Sequence, residues 1–198
     1  IVHGPPGTGK TTTLAETIFE TLFRETQILV CAPSNTAVDN IAEKLIDRGI
    51  SVLRIGNSAR ISDSVLESTV ERRYAAHPSY PQLWSIRKAI RQLQSQRSKG
   101  ESTHQKVASL RDRAQDLDIR IRQEIMQSAR VIACTLTGAG HPLLTGMNFS
   151  SVFIDEAGQA LEASCWIAIL KAGRVVLAGD HMQLPPTVKS HDALRRGL

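Results

Sequence analysis

Three groups of residues have the types and spacing that phosphate chemistry requires. The first is Gly4-Pro5-Pro6-Gly7-Thr8-Gly9-Lys10-Thr11, followed by Thr12. It fits G-x-x-x-x-G-K-[ST] without a mismatch. Its glycines let successive backbone N–H groups converge on phosphate oxygens without side-chain clash. Lys10 would set a point charge on the β- and γ-phosphates of a nucleoside triphosphate such as ATP, and the Thr11 hydroxyl would bind Mg²⁺. The second group is Asp155-Glu156, two carboxylates directly after the apolar run Val152-Phe153-Ile154. Mg²⁺ prefers oxygen ligands, so Asp155 is expected to hold the metal and Glu156 to orient or deprotonate an attacking water. Asp155 also stands where it could cap a helix starting at Gly158. The third group is Gly179-Asp180-His181-Met182-Gln183-Leu184-Pro185-Pro186.

Residues of this kind need a scaffold that brings their loops to one edge. Short apolar, β-branched runs supply it: the Ile1-Val2 stub, Ile28–Ala32, Ser51–Ile55, Val131–Cys134, Val152–Asp155 and Val175–Ala178. Near-continuous apolar runs suggest parallel strands covered on both faces. Helical patterns over 10–24, 36–48 and 158–171 alternate with them. The predicted fold is α/β, a P-loop NTPase domain with a parallel sheet flanked by helices. In such sheets ligands sit beyond the carboxyl ends of the strands, where Lys10, Ser34, Asp155 and Asp180 all fall.

The stretch 57–130 breaks the alternation. Leu83, Ile86, Ile90 and Leu93 recur at helical spacing, as do Val107, Leu110, Ala114, Leu117, Ile121 and Ile125. A polar, turn-like stretch at 98–103 separates them. The pattern predicts an inserted helical hairpin, with residues 1–56 and 131–198 forming the ATP-binding core. The insertion carries 14 Lys and Arg against 8 Asp and Glu, and the rest of the chain 10 against 11. A basic segment in an ATPase suits a polyanionic track such as nucleic acid, although solvated helix faces would give the same count. Trp84, Tyr74 and Tyr80 are read as core rather than as base-stacking platforms, so any strand binding should be sequence-independent and salt-sensitive.

Cys31, Cys134 and Cys165 have no metal-ligand spacing, and the first two lie in apolar runs expected to be buried. That usage fits a reducing, intracellular compartment, cytoplasm or nucleus. The six histidines are scattered and suggest no metal site. No apolar run has transmembrane length, so no membrane partner is expected. The sequence reads as an excerpt of a longer protein, starting within a strand and stopping in a helix-like stretch at 191–196.

Asp155-Glu156-Ala157-Gly158-Gln159 followed by Gly179-Asp180-His181-Met182-Gln183-Leu184-Pro185-Pro186 resembles superfamily 1 helicases. The branch it resembles contains the nonsense-mediated-decay helicases, senataxin and the immunoglobulin mu-binding helicase. Ala32-Pro33-Ser34-Asn35-Thr36-Ala37-Val38-Asp39-Asn40 and Ala133-Cys134-Thr135-Leu136-Thr137-Gly138-Ala139-Gly140 look like that branch's strand-binding motifs. Gln159–Ile167 is similar to the immunoglobulin mu-binding helicase.

The resemblance implies a RecA-like first motor domain that couples Mg-ATP hydrolysis to 5′–3′ movement along single-stranded RNA or DNA. Gln183 would sense the γ-phosphate, Gln159 would support it, and Asp180 would belong to the same nucleotide site. Pro33, Ser34, Asn35, Thr36, Thr135, Thr137 and Gly138 would meet the strand backbone. Hydroxyls and amides can bond phosphates without reading bases, although Ser34 or Asn35 could equally cap the following helix. A second RecA-like domain supplying arginine fingers would be needed for full activity, so residues 1–198 alone should bind nucleotide weakly and not unwind. An AAA+ remodelling ATPase, or an ATP-gated nucleic-acid clamp without unwinding, stands as the alternative.

Overall fold

The computed structural model describes residues 1–95, 101–186, 190, 192, 195 and 196. Of the predicted turn at 98–103, residues 98–100 lie outside the described residues and 101–103 are helical instead; of the helix-like stretch at 191–196, residues 191, 193 and 194 lie outside.

The chain forms two compact units, Ile1–Thr69 with Ala129–Leu198, and Val70–Ser128. The first is a six-stranded sheet: β1 (Val2–His3), β2 (Ile28–Ala32), β3 (Val52–Arg54), β4 (Val131–Thr135), β5 (Phe149–Ile154) and β6 (Ala172–Gly179). Their order across the sheet is β1-β6-β5-β2-β4-β3, and every ladder is parallel. This is the α/β P-loop architecture expected from the apolar runs. Because all strands run the same way, all their carboxyl ends share one edge. The register there pairs His3 with Gly179, Ile154 with Leu177, Cys31 with Ile154 and with Cys134, and Arg54 with Ala133.

Alternation along the strands builds two packed faces. Ile28, Val30, Ala32, Val131, Ala133, Phe153 and Ala178 join one buried cluster with Leu14, Ala15 and Ile18 of α1 (Lys10–Thr21) and Val38, Ile41, Ala42 and Leu45 of α2 (Asn35–Ile46). Apolar positions three or four apart give each helix a stripe for that cluster. Leu29, Cys31, Ile132, Cys134, Val152 and Ile154, also buried, alternate with them. The Cys31 and Cys134 sulfurs lie 3.7 Å apart. The hydrogen bond with Cys134 and burial raise the Cys31 thiol well above its ordinary range, so it is an inert core thiol.

Two local expectations are corrected. Residues 57–69 group with the sheet rather than with the insertion. Their 3₁₀ turns bury Ile61 and Val65 in the same cluster as α1 and α2, and Thr69 bridges to Arg54. The helix predicted over 158–171 is broken: Ala157–Gln159 is a 3₁₀ turn and α6 spans only Glu162–Ile169. The cause is a close approach. A Cβ on Gly158 would lie 2.4 Å from the Asp180 carbonyl oxygen, and one on Gly179 would lie 2.8 Å from the Gly158 nitrogen. These glycines let the loop after β5 press on the end of β6, which a helix continuing from Gly158 would not do.

The second unit holds α3 (Val70–Ala76), α4 (Tyr80–Ser95) and α5 (Glu101–Ser128). Leu83, Ile86, Val107, Ala114, Ile121 and Ile125 are buried, as the seam predicts. Asp118 joins the helices: it accepts from Arg87 and Arg122 at 2.8 Å each and from the Tyr74 hydroxyl. Tyr74 and Tyr80 pack edge to face, 5.6 Å apart. Trp84 departs from the core reading, since it is half exposed with the Lys88 ammonium over its ring.

Candidate nucleotide and strand-binding edge

The loop after β1 is shaped by Gly7 and Gly9, whose φ values of 77° and 82° lie in the left-handed region that side chains disfavour. Gly9 sits at the N-cap of α1 without a side-chain cap, which leaves the first helical N–H groups facing the loop. Thr8 Oγ1 and Lys10 Nζ both donate to the Pro5 carbonyl, at 2.7 and 2.9 Å. The Lys10 ammonium is thus held by the loop itself, on a contact that an incoming phosphate can replace. Gly4, Pro6 and exposed Thr12 complete the segment.

Asp155 follows β5 and is buried. Burial pushes its carboxyl above the ordinary range, while bonds from the Thr11 hydroxyl and the Glu156 N–H and the charge of Lys10 act in the opposite direction. It does not cap α6, whose N-cap is Leu161; its Oδ1 accepts from the Glu156 N–H at 3.0 Å. Glu156 has φ 53°, the one non-glycine residue with positive φ among those described. A glutamate held there costs conformational energy, as residues at functional sites often do.

From Glu156 a chain of polar contacts runs across to β6. Gln159 Nε2 donates to Glu156 Oε2 at 3.0 Å and lies 3.5 Å from Gln183 Oε1. Gln183 Nε2 donates to Asp180 Oδ2 at 3.3 Å, and the Met182 N–H donates to Asp180 Oδ1 at 2.9 Å. The Met182 N–H, the Gln183 amide and the charges of His3 and Lys10 hold the Asp180 carboxyl below its ordinary range against the effect of burial. The sequence-derived nucleotide residues Lys10, Thr11, Asp155, Glu156, Gln159, Asp180 and Gln183 therefore lie along β1-β6-β5.

The other half of the edge, β2-β4-β3, is built differently. Ser34 is the N-cap of α2, and its Oγ accepts from the Ala37 N–H at 3.1 Å. Asn35 Oδ1 accepts from Arg54 at 2.9 Å. An arginine only donates, so the Asn35 oxygen must face it and the amide NH₂ points elsewhere. Arg54 is fully buried and also donates to Asp39 Oδ1 at 2.7 Å and to the Ile55 carbonyl at 2.6 Å, while Asp39 Oδ2 accepts from the Ser62 N–H. Thr135 Oγ1 accepts from the Gly138 N–H at 3.1 Å and lies 3.4 Å from Thr137 Oγ1.

Sequence reasoning missed Arg54. It reads as an ordinary strand residue, and its role follows only from the packing of β3 beneath α2. Pro33, Thr137 and Gln159 line a shared cavity of about 210 Å³ with Leu136, Leu161, Ser164 and Pro186. Thr36 does not join them; it lines a separate cavity with Asp39, Asn40 and Ser62. Another cavity, of about 610 Å³, lies among Thr17, Thr21, Glu25, Ser150 and Arg174 and includes none of the motif residues.

A family model described as AAA domain matches residues 1–191. The chain is 42% identical over 208 residues to the DNA-binding protein SMUBP-2 of Mesocricetus auratus, covering 100% of this chain and 21% of that one. It is 39% identical over 196 residues to the DNA polymerase alpha-associated DNA helicase A of Schizosaccharomyces pombe, covering 96% and 30%. Identity to a regulator of nonsense transcripts 1 homolog from Arabidopsis thaliana is 37% over 201 residues, covering 100% and 16%. The chain thus spans less than a third of the length of these relatives.

Proposed function

This chain belongs to the AAA domain family, within the superfamily 1 helicase branch that includes SMUBP-2 and the regulators of nonsense transcripts, and on that premise we propose that it is the first motor domain of an ATP-driven nucleic-acid helicase. The parent protein would couple ATP hydrolysis to 5′–3′ movement on single-stranded RNA or DNA. The observation that carries the proposal is the contact chain Glu156–Gln159–Gln183–Asp180, which links the acidic end of β5 to the end of β6.

ATP would lie with its phosphates on the Gly7–Thr12 segment. Lys10 would leave the Pro5 carbonyl for the β- and γ-phosphates, and the free N–H groups at the start of α1 would receive phosphate oxygens. Thr11 and Asp155 would hold Mg²⁺. They suit it, because Asp155 is a buried carboxylate whose negative charge is disfavoured until a cation arrives. When bound, the metal neutralises phosphate charge. Glu156 would orient and deprotonate the attacking water, with Gln159 fixing its carboxylate. Gln183 would register the γ-phosphate and pass its state through Gln159 towards the cavity lined by Pro33 and Thr137.

The strand half supports the reading by its donor pattern. Ser34, Asn35 and Thr135 each use an acceptor oxygen within the fold. A hydroxyl keeps its O–H and an amide its NH₂ for an outside acceptor. Donors directed at acceptor-only phosphates give backbone binding without base reading. Capping and strand contact are therefore compatible for Ser34. A second RecA-like domain in the parent chain would complete the ATP site. No described helix is long and apolar enough to cross a membrane. A nucleic-acid track would be met in the nucleus or cytoplasm. Against an AAA+ remodelling role stands the Gln183 contact, which belongs to the branch-specific motif.

The test is Glu156→Gln in the intact protein. Expected is unchanged ATP binding with turnover lowered about 10²-fold or more, in the range of losses when a preorganised electrostatic partner is removed. Turnover near the native rate would refute the role given to Glu156.

A further inference from the structure

We propose that His3, Asp180 and His181 form a binding site for a zinc-class transition metal at the β1–β6 end of the sheet, separate from the Mg²⁺ ligands Thr11 and Asp155. The histidines look scattered in the sequence, 178 positions apart. The parallel register of His3 with Gly179 brings them together, because the residues after Gly179 turn beside the end of β1.

The geometry suits a metal better than it suits hydrogen bonds alone. His3 Nε2 lies 3.4 Å from Asp180 Oδ1 and 3.2 Å from His181 Nδ1, and all three ligand atoms lie within 4.8 Å of one another. A tetrahedral zinc centre with Zn–N bonds of about 2.0–2.1 Å has ligand–ligand edges of about 3.3 Å. Two of the three spacings already match that edge. A single proton on His3 Nε2 can serve the carboxylate or the second imidazole, not both. If His181 donates instead, His3 Nε2 presents a lone pair to a carboxylate oxygen. A cation between the three atoms satisfies all of them at once.

The surroundings fit a built site. Asp180 is buried, and its carboxylate is oriented by the Met182 N–H and the Gln183 amide, the supporting contacts that fix a ligand's direction. His3 and His181 are exposed, with ring centroids 5.0 Å apart, which leaves a fourth position for water. Imidazole nitrogens select zinc, copper or nickel over magnesium, so this site and the Mg²⁺ site differ in chemistry as well as in residues. Because Asp180 also holds Gln183, metal binding here would brace the end of β6 against β1.

The test uses the intact protein, stripped of metal by chelation and titrated with Co²⁺ as a spectroscopic stand-in and with Zn²⁺ alone. Expected is one equivalent of Co²⁺ with the intense visible absorption of a tetrahedral centre, displaced by Zn²⁺ and unaffected by excess Mg²⁺. His3→Ala and His181→Ala should each weaken that equivalent by about 10–100-fold or more, since even an outer contact to a ligand is worth that much. A second readout needs no variant: Zn²⁺ should protect His3 and His181 together from diethylpyrocarbonate, read by peptide mass. Absence of the absorption band, native-strength metal binding in either variant, displacement by Mg²⁺, or unprotected histidines would each overturn the proposal. All of these readouts are independent of turnover, so they stand or fall apart from the helicase reading.

Discussion

The two halves of the motif edge hold their polar groups in opposite ways. Along β1-β6-β5 functional side chains contact one another near the surface, as in Gln159 to Glu156 at 3.0 Å and Gln159 to Gln183 at 3.5 Å. Lys10 rests on a carbonyl of its own loop. Along β2-β4-β3 the anchoring contacts reach the interior, as in the 2.7 Å bond from fully buried Arg54 to Asp39. One half has exposed contacts that a ligand can replace. The other half sets its donors on a buried frame. The proposed motor role calls for that division, a responsive nucleotide site beside a stiff grip.

The comparison is broken most readily at Arg54. Arg54→Met leaves Asp39 buried without its partner, and the expected cost is about 3–5 kcal/mol of stability, read as a large fall in urea midpoint. Glu156→Gln should leave the midpoint near native while lowering turnover about 10²-fold or more. Equal midpoints for the two variants would erase the contrast. Ser34→Ala is the finer test. Losing the α2 cap should cost about 1 kcal/mol, and single-strand affinity should fall as well because the free O–H goes with it. A stability loss with unchanged strand affinity would reduce Ser34 to a cap.

The smallest effect is expected in the helical unit. Burial alone would raise the Asp118 carboxyl, but hydrogen bonds from Arg122 and Tyr74 and the charges of Arg122 and Arg87 outweigh it and lower its pKa. A lowered carboxylate contributes stability above its ordinary unfolded value, about 3.9, and loses it as pH falls through the folded value. Helicity of the unit should therefore weaken on acidification below about pH 4, and Asp118→Asn should flatten that dependence. Each pair is half exposed at its arginine, so the effect should stay under about 1 kcal/mol per pair. A native-like acid profile in Asp118→Asn would assign the change to other groups.

Much of this was legible in the sequence. Apolar runs gave five of the strands within a few residues, because buried parallel strands leave no polar face to confuse the pattern. The motif residues fell at strand ends for the same reason. What escaped notice depends on neighbours distant in sequence. The break before α6 comes from Gly158 and Gly179 meeting backbone to backbone, which no local propensity encodes. Arg54 looks like a solvent-facing strand residue until α2 covers it. His3 and His181 meet only because β1 lies beside β6, a pairing that strand order decides.

The most direct measurement is ATP turnover by the intact protein containing this chain, with no nucleic acid, with single-stranded RNA and with single-stranded DNA. The expected result is strong stimulation by at least one strand, with the stimulated rate lowered about 10²-fold or more by Glu156→Gln and the stronger strand identifying the track. Turnover indifferent to both strands would contradict a nucleic-acid motor.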